Sequence, residues 1–127
     1  MNRLNFYEKA SRKVIKMNVR QISEKLGCKI LSGKESLGEE ITDGFCCDLL
    51  SFAIGRAPEG SIWMTVIGNI NTVAVASLSG AACILLCEGV KPDAQALEKA
   101  IEEDIPILVT EKPAYRCALE IGQALDR

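Results

Sequence analysis

The sequence predicts an α/β fold: a three-layer α/β/α arrangement around a mainly parallel sheet built from about four βα units. Three observations carry that expectation. Strand-like runs begin near residues 41, 61, 82 and 105, a cadence of 20 to 23 residues, and a helical pattern follows each one. Short strands alternating with helices need crossover connections, which give parallel pairing and a sheet covered on both faces. The runs IWMTVI at 62–67 and CILLC at 83–87 are almost wholly apolar, as central strands of such a sheet are. Finally, 127 residues with 48% hydrophobic but only 5% aromatic content suit one domain of ordinary size. Its core must be built from Ala, Val, Ile and Leu.

Taken in order, the chain opens with a basic segment. Residues 1–20 hold Arg3, Lys9, Arg12, Lys13, Lys16 and Arg20 against Glu8 alone, in a chain whose net charge is −2. We assign 1–17 as a basic leader, helical or partly ordered, and 18–127 as the single domain. The leader lacks the apolar stretch and cleavage site of a secretory signal. Met17 is a second candidate start, because the organised pattern begins at Val19. Val19, Ile22 and Leu26 share one face of a short helix that Gly27 stops. Residues 29–32 read as a strand and 33–40 as a polar loop. The four units follow. Strand 41–47 leads to helix 48–56, with Asp48 as its N-cap. Strand 61–67 leads to a helix from about 71 to 78. Strand 82–87 leads to helix 92–103, and strand 105–109 to helix 113–125. Pro92 and Pro113 stand at first helical turns, where a missing N–H costs nothing.

Composition excludes several chemistries. There is no histidine, so a Ser-His-Asp triad, a Cys-His pair and a His-based zinc site are all absent. The net acidity argues against a nucleic-acid partner. The charge-free run from Trp63 to Leu86 is broken by Gly68, Asn69, Asn71, Ser77, Ser79 and Gly80, which rules against a membrane span. Six cysteines show no C-x-x-C spacing, and reduced core thiols in a cytoplasmic protein are the expected reading.

Parallel sheets bind ligands beyond the carboxyl ends of their strands, near a switch point in the topology. That edge holds the candidate ligand-binding residues Gly68, Asn69, Asn71, Thr72, Gly89 and Thr110. The turn at 68–72 offers a glycine, side-chain amides and helix N-terminal N–H groups, which suit an anion or nucleotide. The competing reading is that Asn and Thr simply cap a helix. Neither G-x-x-x-x-G-K-[ST] nor G-x-G-x-x-G is present. Cys46, Cys47 and Cys87 also fall near strand carboxyl ends and are the candidate metal ligands. Successive strand residues point to opposite faces, which sets Cys46 and Cys47 against sharing one ion. Asp43 and Asp48, with Glu88 or Glu111, are carboxylates that read as caps and solvated loop charges. Thr65 reads as a strand former. No catalytic residue and no cofactor is expected.

The segments TDGFCCDLLS at 42–51, GRAPEG at 55–60, IGNINTVAVAS at 67–77 and IPILVT at 105–110, with Pro92 between, resemble a stand-alone DRTGG domain. The resemblance covers most of 19–125. It implies an α/β/α regulatory or interaction module, frequently a homodimer. The family occurs within phosphate acetyltransferases and CBS-domain inorganic pyrophosphatases, and is similar in fold to the N-terminal domain of HPr kinase/phosphorylase. Free-standing members often accompany iron-hydrogenase systems. By register the eponymous loop lies at 69–73, where Asn69 replaces the family's Asp and Ile70 its Arg, and no Gly-Gly follows. Any role of that Arg is therefore not carried over.

The expected function is a non-catalytic regulatory module that forms a homodimer and binds a nucleotide or other phosphorylated small ligand. The small-residue segment 73–82 is its candidate interface. A Cys-based metal or redox protein is the alternative.

Overall fold

The structure, a computed structural model, describes residues 16–127. The leader assigned to 1–17 lies outside the described residues except for its last two. Met17 already belongs to the fold, in strand β1 (Met17–Asn18). Helix α1 (Val19–Leu26) follows, then strand β2 (Lys29–Ile30), a 3-10 turn at Lys34–Ser36, and strands β3 (Glu40–Ile41) and β4 (Asp43–Cys46). The remainder alternates: α2 (Leu50–Arg56), β5 (Ser61–Thr65), α3 (Ile70–Ser79), β6 (Cys83–Leu86), α4 (Ala94–Glu102), β7 (Ile107–Val109) and α5 (Ala114–Ala124).

The main sheet has five strands in the order β2-β7-β6-β5-β4, parallel except for β2, which runs antiparallel against β7. Side chains alternate between its faces, so each strand feeds two cores. Met64, Leu85 and Leu108 pack with Val19, Ile22 and Leu26 of α1 and Cys117 and Ile121 of α5. Trp63, Ile84, Leu86 and Ile107 pack with Ala53 of α2, Val73 and Ala76 of α3, and Ala96 and Ala100 of α4. The layers are thus α1/α5, sheet, and α2/α3/α4. Alanines on the second face let three helices sit closely over the sheet, which is how a core poor in aromatics closes. The single tryptophan, Trp63, is fully buried, and its indole N–H donates to the Cys47 carbonyl at 2.9 Å.

This is the predicted α/β/α architecture, and it differs locally in an added ribbon, in the role of Asp48 and in the start of α4. A two-stranded ribbon joins β1 to β3, pairing Met17 with Ile41. Asn18 closes a capping box with Gln21, so α1 is fixed at its first residue. Asp48 does not cap α2, which begins at Leu50 behind Leu49 with no side-chain cap. Its carboxylate instead accepts from the Thr65 hydroxyl at 2.8 Å and the Val66 N–H at 2.9 Å, tying the end of β4 to the end of β5. Helix α4 starts at Ala94, two residues past Pro92, because Asp93 supplies the cap through the Ala96 N–H.

The parallel strands run β4, β5, β6, β7 without reversal, and α2, α3 and α4 all cross on one face. After β7 the chain turns to the other face to form α5. The loops leaving β6 and β7 therefore lead to helices on opposite faces of the sheet. The switch is a change of face at β6/β7 and not a reversal of strand order.

Candidate functional site

Backbone geometry brings the sequence-predicted residues to one edge but divides them into two groups. The first lies in the turn between β5 and α3. The Asn69 side chain accepts from the N–H groups of Asn71 at 2.9 Å and Thr72 at 3.3 Å, and so caps α3. Thr72 is buried, and its hydroxyl donates to the Ile67 carbonyl at 2.8 Å. Gly68 is pressed against the next turn. A Cβ there would stand 2.5 Å from the Lys91 carbonyl oxygen, and the Gly68 carbonyl accepts from the Asp93 N–H at 2.8 Å. Ile70 and Asn71 are the exposed residues of this turn. The side-chain polar atoms of Asn69 and Thr72 are spent on building the edge.

The second group, Gly89 and Thr110, lines a cleft of about 470 Å³ between the α1–β2 turn and the loops that follow β6 and β7. Gly27 and Lys29 form its wall on the α1–β2 side, and Lys91 and Lys112 its other basic members. Three lysines against Glu111 make this a basic site in a net-acidic chain. Val90 and Val109 supply apolar surface. The two loops are zipped together: the N–H groups of Glu88 and Gly89 donate to the carbonyls of Lys112 and Thr110, both at 2.9 Å. Those amides are consequently unavailable to a ligand, and recognition falls to side chains. Glu88 sits in the left-handed region at φ 63°. Its carboxylate accepts from the Ala114 N–H at 2.9 Å, fixing the start of α5.

The lysines differ in their commitments. Lys112 donates to the Leu26 carbonyl at 2.9 Å and to both Glu120 oxygens at 3.2 and 3.0 Å. Lys29 and Lys91 are exposed and have no ion-pair or hydrogen-bond partner among the described residues. None of the three was singled out by sequence reasoning. Lys91 precedes Pro92 in a loop, and Lys29 stands in a two-residue edge strand, so neither belongs to a recognisable motif. The opposite end of the sheet has the reverse polarity, with a hollow of about 310 Å³ lined by Glu39, Glu59 and Asp104.

The cysteines do not converge. The Cys46 thiol lies 3.7 Å from the Met64 sulfur on the α1/α5 side, while the Cys47 thiol points toward the Leu49 carbonyl at 3.4 Å. Cys87 is fully buried. Among the described residues no three Cys, Asp or Glu groups are placed to hold a metal ion. Burial raises the thiol pKa of Cys28 to about 11, and raises those of Cys46, Cys83, Cys87 and Cys117 as well. Ligating thiols must lose their proton, so this setting favours neutral thiols, with Cys83, Cys87 and Cys117 in the core and Cys46 exposed.

Fold and site together define a three-layer α/β/α domain with a basic cleft at its topological switch. No protein-family model matches the chain, and no curated protein matches it. Among solved structures, it is similar to the CBS and DRTGG domains of the regulatory region of Clostridium perfringens pyrophosphatase, complexed with the activator diadenosine tetraphosphate. The TM-score is 0.67 at 15% sequence identity, over 82% of this chain and 45% of that one. The likeness is one of fold, and this chain spans less than half the length of that structure. No helix among the described residues is long and apolar enough to cross a membrane.

Proposed function

We propose that this chain is a non-catalytic regulatory module of DRTGG type that binds a nucleotide or other phosphorylated small molecule in the β6/β7 cleft. One observation carries the reading: the site at the face switch, where parallel sheets place their ligands, is lined by three lysines in a chain of net charge −2. Two of those lysines have no competing partner among the described residues. A cleft of this volume lies within the range of small-molecule sites. The pyrophosphatase regulatory region, similar in fold, holds a nucleotide activator. The kinship in fold to the N-terminal domain of HPr kinase/phosphorylase belongs to the same proposal, as does action as a homodimer in a reducing cytoplasm.

The test is a thermal-shift series with adenine nucleotides, diadenosine tetraphosphate and pyrophosphate, on the wild type and on Lys29→Ala and Lys91→Ala. A ligand-dependent rise that both substitutions weaken supports the cleft. A rise that neither affects moves the site elsewhere. Sedimentation at micromolar concentration reads the homodimer, and a lone 13.8 kDa species would remove it. The exposed face of α3, with Leu78 at 77% exposure, is the outer side of segment 73–82, whereas Val73 and Ala76 are committed to the core.

A further inference from the structure

We propose that Lys112 relays occupation of the cleft to the helical layer formed by α1 and α5. The inference rests on the anion-binding reading above. An ammonium group carries three N–H donors. Those of Lys112 meet three acceptors, the Leu26 carbonyl and the two oxygens of Glu120. Leu26 is the last residue of α1, where carbonyls have no partner within the helix. Glu120 lies in α5. A single side chain from the cleft wall therefore latches both helices of one layer.

The latch and the cleft share more than Lys112. Gly27, which terminates α1 in the left-handed conformation, and Lys29 just beyond it both line the cleft. An anion entering the cleft and the Glu120 carboxylate are alternative partners for the same cation. The Lys112–Glu120 pair has side chains 37% and 30% exposed, and ion pairs that water reaches are weakly held. A phosphate group carrying up to two charges displaces the carboxylate. Lys112 then leaves the Leu26 carbonyl, and the last turn of α1 loosens. Lys29 and Lys91 supply affinity, while Lys112 converts binding into a change at α1. Because the ligand must break the latch, weakening the latch tightens binding by the same coupling.

Inorganic pyrophosphate is the probe, with calorimetry for binding and hydrogen exchange for the last turn of α1. In the wild type, saturating pyrophosphate accelerates exchange there about threefold. Glu120→Gln binds pyrophosphate about threefold more tightly and shows faster exchange before any is added. Lys112→Met shows fast exchange at the outset, keeps most of its affinity through Lys29 and Lys91, and responds no further. Two results overturn the relay while sparing the cleft: binding with unchanged exchange in α1, or a Lys112→Met protein that responds as the wild type does. Flat calorimetry with the wild type removes the cleft reading itself, and the relay with it.

Discussion

Lys29, Lys91 and Lys112 carry the same charge into the same cleft yet do different work, because of what else each touches. Lys112 is saturated by protein acceptors, whereas the other two meet only solvent among the described residues. Replacing Lys29 or Lys91 by Ala is expected to leave unfolding free energy within about 0.5 kcal/mol of wild type, as for most exposed side chains. Each should weaken a phosphorylated ligand roughly tenfold, the loss of one charge-assisted hydrogen bond, as read by calorimetry. The thiols make a second prediction. A pKa raised by folding means that the neutral thiol stabilises the native state. That contribution is intact below the unfolded value near 9 and is lost as pH rises through the folded value, about 11 for Cys28. Urea midpoints should therefore hold steady up to about pH 8 and fall between about 9 and 11, and a flat profile there would contradict it.

At the scale of elements, local chemistry decides where helices begin and end, and part of it was legible. Gly27 ends α1 in left-handed geometry as its residue type suggests, whereas the Asn18–Gln21 capping box and the Gly80 stop of α3 were not singled out in the sequence. Asp48 was not legible in this way. It has the residue type of a cap, but its carboxylate is drawn away to the Thr65 hydroxyl and Val66 N–H on the neighbouring strand. Such a contact depends on strand order, which no local window encodes. Asp48→Ala should consequently destabilise the protein by about 1–2 kcal/mol, through two lost acceptor contacts. Thr65→Val should remove part of the same effect, so that the double substitution costs less than the sum in urea unfolding. The β1–β3 ribbon was hidden for a similar reason. Its strands are two residues each and carry no alternating pattern.

For the whole molecule, the βα units were readable because β5, β6 and β7 fall in apolar runs at a regular cadence and a helical pattern follows each one. The position of the site within that frame was readable only to the level of an edge. Sequence reasoning offered both the turn at 68–72 and Gly89 with Thr110, with helix capping as the competing reading at the turn. There Asn69 caps α3, the Thr72 hydroxyl donates to the Ile67 carbonyl and Gly68 packs under Lys91. What distinguishes the β6/β7 loops is the crossing of α5 to the opposite face, a property of the assembled sheet. The resulting molecule is polarised, basic at the carboxyl ends of β6 and β7 and acidic at the amino-terminal end.

The claim that a phosphorylated ligand occupies the basic cleft is tested most directly by thermal unfolding with diadenosine tetraphosphate and ATP. A ligand present at a hundredfold its dissociation constant stabilises the native state by ~2.7 kcal/mol, which raises the midpoint by roughly 10 °C in a chain of this length. The account predicts such a rise in the wild type and its loss when Lys29 and Lys91 are both replaced by Ala. A midpoint unmoved by either nucleotide and by pyrophosphate, in protein shown to be folded, would contradict it.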